Sequence, residues 1–123
     1  MLPARHRLRT SADFASAVRG PGGSRAGGRL VVLHAIRTDA RAGSPPRVGF
    51  VVSKAVGGAV TRNRTKRVLR HLVAARVDGI PAGCDLVVRA NPAAAAATTP
   101  ALAAELDRLL AKVLAPATAR ARR

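Results

Sequence analysis

The chain has little negative charge, which limits the chemistry it can perform. Its 123 residues include six Asp and Glu against 22 Lys and Arg, a formal net charge of +16. The carboxylates are scattered, with no pair placed for acid–base work, and no Ser-His-Asp arrangement suggests itself. We therefore predict no catalytic residues in the protein. A balance this basic is typical of proteins that bind nucleic acid.

Other absences exclude further classes of protein. The single cysteine, Cys84, excludes an internal disulfide and is predicted to pack as a small hydrophobic residue at the start of a strand. Three scattered histidines offer no metal-ligand spacing, so we predict no metal or cofactor bound by the protein alone. No apolar run approaches the length of a membrane span, and no hydrophobic segment follows the basic N-terminus. These features predict a cytoplasmic protein without a membrane partner.

The most informative segment is the basic run over residues 49–72, GFVVSKAVGGAVTRNRTKRVLRHL. On a helix with 100° per residue, one arc carries Asn63, Lys66, Arg67 and Arg70, and Val68, Leu69 and Leu72 lie opposite. Like charges three and four residues apart each cost about 0.2–0.5 kcal/mol, so this face does not stabilise an isolated protein. The ordinary alternative to a binding role is a helix face that is merely solvated, but solvated faces usually carry charges of both signs. A phosphate polyanion would reverse the unfavourable sign of the interaction.

The pattern predicts a single RNA-binding domain over residues 1–123, with a compact core at about 5–115 and a basic tail at 116–123. Strands are predicted at 30–36, 48–53 and 86–89, with a weaker candidate at 24–28. We predict a short helix opened by Thr10 and the basic helix at about 58–77. A final helix, capped by Thr99, places Leu102, Leu106, Leu109, Leu110, Val113 and Leu114 on one stripe. The alanine run 93–97 is interpreted as a low-complexity linker, and interleaved strands and helices favour an α–β sandwich.

The run VVSKAVGGAVTRNRTKRVLRHL resembles the signature of the bacterial ribonuclease P protein subunit. In that family, an S-V-S-K-K-x-G-N-A-V-x-R-N-R-x-K-R-like run joins the third strand to the long helix. The N-terminal RLRTSADF is similar to the family's basic lead-in and first helix. Residues 30–36, 83–88 and 100–114 match its second strand, fourth strand and closing helix, so the resemblance covers about 5–114.

The resemblance implies an α+β fold, a two-layer α-β sandwich of order αβββαβα. Its four-stranded sheet would contain a left-handed βαβ crossover, as in ribosomal-protein-like domains. It also implies a non-catalytic subunit of a ribonucleoprotein endoribonuclease for tRNA 5′ maturation. The partners would be the catalytic RNA and precursor tRNA, with no protein partner required, and the active site and its Mg²⁺ would belong to the RNA.

The site residues are carried over from the family motif by position. Catalytic-RNA contacts would fall on Lys54, Arg62, Asn63, Arg64, Lys66, Arg67 and Arg70. A cleft for the single-stranded 5′ leader would be lined by Phe14, Val18 and His34, with Phe50 beside them.

Some positions depart from the family pattern, and two alternatives stay open. Ala55 and Gly58 replace a lysine and an asparagine that the family often has, and Val18 and His34 stand at often aromatic positions. With two Phe and no Tyr or Trp, leader binding is expected to depend on backbone charge more than on stacking. A ribosomal protein or RNA chaperone would share the charge. A DNA-binding regulator would place the basic helix in a major groove.

Overall fold

The computed structural model describes residues 23–37 and 43–114, which form four strands and two helices. The strands are β1 (Ser24–Gly27), β2 (Val31–Arg37), β3 (Arg47–Val51) and β4 (Cys84–Ala90). The helices are α1 (Ala59–Ala74), which contains the basic run, and α2 (Thr99–Val113). Short 3₁₀ turns occupy Lys54–Val56, Val77–Gly79 and Pro92–Ala96. The predicted first helix and the basic tail lie outside the described residues.

The four strands form one mixed sheet in the order β1-β2-β4-β3. The β1–β2 and β2–β4 pairs are antiparallel, whereas β3 and β4 are parallel and are joined through α1. This confirms the predicted α+β class and the four-stranded sheet. The weak strand candidate at 24–28 is confirmed as β1. The left hand of the crossover stays a prediction.

The strand register separates two faces of the sheet. Ala26, Leu33, Val88 and Phe50 lie in one row across the four strands, and all of them belong to or pack against the main hydrophobic core. Because side chains alternate along a strand, the next row points to the opposite side. That outer face carries Arg25, His34, Val87 and Gly49 in one row.

Both helices contribute apolar residues to the main core. In α1 the buried residues are Thr65, Leu69, Leu72 and Val73, and in α2 they are Leu102, Leu106, Leu109, Leu110 and Val113. The predicted leucine stripe of α2 is confirmed apart from Leu114, which is half-buried at the C-terminal cap. The cap of α2 is Thr98, whose hydroxyl accepts a hydrogen bond from the Ala101 amide at 3.2 Å, so the prediction of Thr99 was wrong by one residue.

The alanine run is not a linker, and this prediction was wrong. Pro92–Ala96 forms a 3₁₀ turn that packs against α1 and against the turn Lys54–Val56, with Ala94 buried in the core. Small side chains allow these backbones to approach closely. The segment therefore supports the region where α1 begins.

A carboxylate fixes the β1–β2 connection to α2. One oxygen of Glu105, Oε2, accepts hydrogen bonds from the backbone amides of Leu30 and Val31, each at 2.7 Å. The side-chain amide of Asn91 donates to the carbonyls of Gly28 and Arg29, at 3.0 and 3.3 Å. The connection is thus held from α2 and from the residue that follows β4.

Candidate nucleic-acid interface

Two glycines with different roles precede the first residue of α1. Gly57 has φ +154°, and an added Cβ would lie 2.9 Å from Cγ2 of Thr61, so only glycine fits there. Gly58 is the N-cap, with φ −71° and ψ 177°, and an added Cβ would meet nothing within 4 Å. No side chain caps the helix and no acidic residue lies in its first turn. The free amides and the helix dipole therefore favour an anion at this end.

The structure brings together the seven side chains that the family motif singled out. Lys54 lies in the 3₁₀ turn before α1, and the other six lie on the helix itself. The exposed members are Lys54, Asn63, Arg64, Arg67 and Arg70, whereas Arg62 and Lys66 are half-buried. We call this set the cationic face.

The opposite side of α1 is anchored in the core. Leu69 and Val73 have no exposed surface, and the Thr65 hydroxyl donates to the Thr61 carbonyl at 2.9 Å. The apolar side predicted from the helical period is thus confirmed. The members of the cationic face on α1 are consequently held on a rigid element, and Asn63, Arg64, Arg67 and Arg70 among them are exposed to solvent.

The cationic face has no acidic partner within residues 23–37 and 43–114. The ion pairs there join Arg47 to Asp85 at 2.7 Å, Arg76 to Asp107 at 2.6 Å and Arg108 to Glu105 at 3.6 Å. These pairs engage three of the four acids in the described part of the chain, and the fourth, Asp78, precedes β4 at the far end of α1. Within the described ranges, the six cations of the face therefore have no carboxylate that neutralises them.

Two members of the face differ from simple surface arginines. The Nε of Arg62 is buried and lacks a hydrogen-bond partner among the described residues. Arg64 borders a small groove formed with Ala94, Ala95 and Leu102, so its stem lies beside the alanine segment. Arg67 and Arg70 stand further along α1, exposed to solvent.

The outer face of the sheet carries a second positive cluster. Arg25 of β1 lies directly across from His34 of β2, and Arg89 of β4 is two positions from the residue paired with His34. His34 is 8% exposed, whereas both arginines are exposed. Burial, followed by the positive charges of Arg25 and Arg89, lowers the pKa of His34 below its ordinary value of 6.5. Sequence reasoning missed both arginines, because their position depends on the strand register.

The structure does not bring all four predicted cleft residues together. Phe14 and Val18 lie outside the described residues. Phe50 lies in the row of Leu33 and Val88 and packs against the main core, on the opposite side of the sheet from His34. Grouping Phe50 with His34 is therefore corrected, since one cleft on one face cannot be lined by both side chains.

Within the described ranges, no group of three or more His, Cys, Asp or Glu side chains could hold a metal ion. Cys84 has no exposed surface and lies at the first position of β4, as predicted. None of the helices in this part of the chain is long and apolar enough to cross a membrane. What the described site offers is positive charge at fixed positions.

Comparisons with known proteins agree with this geometry. The family model described as ribonuclease P matches residues 2–114. A ribonuclease P protein component from Acidothermus cellulolyticus is 54% identical over 92% of this chain and 92% of its own length. Among solved structures, the Staphylococcus aureus RNase P protein has a TM-score of 0.74 at 29% identity, covering 89% of this chain and 98% of that one. The protein from Thermotoga maritima has a TM-score of 0.72 at 25% identity, with the same coverage of 89% and 98%.

Proposed function

This chain belongs to the ribonuclease P protein family, and from that membership we propose that it binds the catalytic RNA of ribonuclease P through the cationic face of α1. In this role it assists removal of the 5′ leader from precursor tRNA in the cytoplasm. No specific observation favours either of the two alternatives, a ribosomal protein or RNA chaperone on the one hand and a DNA-binding regulator on the other.

The observation that carries the proposal is the unpaired charge of α1. Five cations on α1 and a sixth, Lys54, in the turn before it have no acidic partner in the described part of the chain, and such like charges are unfavourable in the free protein. RNA phosphates would neutralise them and release counterions from the RNA. The uncapped N-terminus of α1 adds backbone amides that favour the same kind of ligand.

The chemical step belongs to the RNA in this proposal. Mg²⁺ bound by the RNA would activate the attacking water, and the protein would supply positive charge where two RNA molecules approach each other. Side chains such as Arg67 and Arg70 would partly replace the ions that hold RNA against RNA. The protein should therefore matter most at low magnesium.

Leader binding is assigned to the outer face of the sheet. Arg25 and Arg89 are exposed there on either side of His34, and Phe14 and Val18 are proposed to complete the cleft. Since no Phe, Tyr or Trp side chain from the described strands points to this face, leader affinity should depend on backbone charge. We expect strong dependence on leader length and ionic strength and weak dependence on base identity.

The test is reconstitution with the cognate catalytic RNA and a precursor tRNA. At low magnesium, RNA with protein should cleave at a rate that RNA alone does not reach, and protein alone should not cleave. High magnesium is the internal control, because there the advantage of adding protein should shrink. Metal-dependent cleavage by rigorously RNA-free protein, abolished by a point mutation, would contradict the assignment of the active site to the RNA.

The role of α1 is tested with Arg67→Ala, and Lys112→Ala is the matched control. Both residues are exposed, but Lys112 lies on α2, away from the cationic face. Arg67→Ala should weaken binding to the catalytic RNA and reduce the slope of log K against log salt by about 0.7–0.9. Lys112→Ala should leave both unchanged. Equal behaviour of the two variants would mean that α1 presents only a solvated surface.

A further inference from the structure

One apolar side chain beside the cationic face lies outside the hydrophobic core of the described residues. Val60 is 83% exposed and is the only large hydrophobic residue so exposed within residues 23–37 and 43–114. It lies in the first turn of α1, where it contributes nothing to the core. Valine is also a poorer helix former than alanine or glutamate, so local helix stability does not favour it here.

The position of Val60 places it among the RNA-binding side chains. Asn63, Arg64 and Arg67 follow it by three, four and seven residues, the spacings that share one helix face. A helical side chain leans towards the N-terminus of its helix, which directs Val60 towards the uncapped end of α1. The N-cap Gly58 at this end has no side chain, and an added Cβ there would meet nothing within 4 Å. Val60 thus presents an exposed apolar side chain beside Asn63, Arg64 and Arg67.

Phosphate groups have no favourable contact to offer the Val60 side chain, because its methyl groups neither neutralise charge nor donate hydrogen bonds. The flat face of a nucleobase does, since it is an apolar surface that gains from leaving water. In a continuous A-form duplex, base faces are covered by their stacked neighbours, and only loops, bulges and ends expose them.

We propose that Val60 packs against the face of an unpaired nucleobase of the RNA bound by α1, so that the cationic face selects a loop or bulge in the catalytic RNA. This inference rests on the proposed function and adds a specificity-determining contact to it. The arginines provide charge-dependent affinity, and Val60 provides a contact that does not depend on charge.

The first test compares Val60→Ala and Val60→Phe, in the full chain, for binding to the catalytic RNA over a range of salt concentrations. Val60→Ala removes both γ-methyl groups and should weaken binding about fourfold to fifteenfold, the loss expected if one or both of them are buried against the base. The loss should be the same at low and high salt, in contrast to Arg67→Ala, which changes the slope. Val60→Phe should bind at least as tightly as the unmodified protein, because a ring offers a larger stacking surface. Alanine is the better helix former, so unfolding cannot explain a loss in Val60→Ala.

Unchanged affinity in Val60→Ala, together with the expected loss in Arg67→Ala, would overturn the inference and leave the proposed function standing. A loss that shrinks with added salt would also overturn it, because the contact would then be electrostatic. If the unmodified protein does not bind the catalytic RNA, the proposed function fails first, and the inference fails with it.

The second test identifies the nucleotides that approach Val60. A photoactivatable azidophenacyl group on Val60→Cys can be cross-linked to the catalytic RNA, and the positions mapped by primer extension. Cys84 has no exposed surface, so the folded protein should react only at the introduced thiol. Ala104→Cys, at an exposed position on α2, is the matched control and should give no cross-link. Cross-links to unpaired nucleotides are expected, and cross-links confined to the interior of a duplex would overturn the proposal.

Discussion

Glu105 offers the sharpest test of what holds the fold together, because one carboxylate oxygen supports two strand amides. Its Oε2 lies 2.7 Å from the amide nitrogens of both Leu30 and Val31, and the Glu105 side chain is 10% exposed. In Glu105→Gln, the single carbonyl oxygen can still accept both hydrogen bonds but without the charge. Because charge-assisted bonds are roughly twice as strong as neutral ones, we expect a loss of about 1–2 kcal/mol in the free energy of unfolding.

Glu105→Ala removes the acceptor altogether. The Val31 amide then has no partner in a residue with no exposed surface, and the Leu30 amide is only partly exposed. An unsatisfied buried donor costs about 1–3 kcal/mol, so the two together should cost about 2–6 kcal/mol, of the order of a marginal domain's whole stability. Urea unfolding of the three proteins should therefore rank unmodified protein above Glu105→Gln and Glu105→Ala last.

Gly28 supplies the control for this reasoning. An added Cβ at Gly28 would lie 2.5 Å from the carboxyl carbon of Glu105, so Gly28→Ala should displace the carboxylate and destabilise the protein. In the Glu105→Ala background the same substitution should cost little, since the clashing group is gone. A double-mutant cycle should give a coupling free energy of about 1–3 kcal/mol. Additive losses, or a Glu105→Ala variant as stable as the unmodified protein, would refute the assignment.

Three further predictions concern pH and the helix ends. Because the pKa of His34 is lowered in the folded state, the unfolded chain binds a proton more readily at this residue. The free energy of unfolding should therefore fall as pH drops below about 6.5. Urea unfolding from pH 5 to 7.5 should show this dependence, and it should be weaker in His34→Gln. The Arg76 hydrogen bonds lower the pKa of Asp107 in the folded protein. The stabilisation by this exposed pair is therefore present above the pKa of Asp107 in the unfolded chain and is lost as pH falls through its lowered pKa in the folded protein. By the same assay, Asp107→Asn should cost less than about 1 kcal/mol at neutral pH, and less still at high salt. Gly58→Asn should raise the free energy of unfolding by about 0.5–1.5 kcal/mol, because the N-cap backbone is extended and an added Cβ would meet no other atom within 4 Å. A lower midpoint of thermal unfolding would contradict this prediction.

The helices and the cationic face could be predicted from the amino-acid sequence because their patterns are local. Whether Arg67 and Leu69 lie on opposite sides of α1 depends only on the 3.6-residue period, and the same holds for the buried stripe of α2. The charge imbalance is likewise independent of the fold. The family motif is a contiguous run, so the membership was already visible in it.

The outer face of the sheet depended on the tertiary structure. His34 and Phe50 belong to strands whose hydrogen-bonding register is set by packing between distant parts of the chain, and a shift of one residue would exchange their faces. For the same reason Arg25 and Arg89 could not be placed beside His34 before the strands were paired. Ala94 and Glu105 acquire their roles only through neighbours far away in the chain, such as α1 for Ala94 and the Val31 amide for Glu105. Local periodicity thus determined which helix carries the charge, whereas long-range pairing decided which side chains share a face of the sheet.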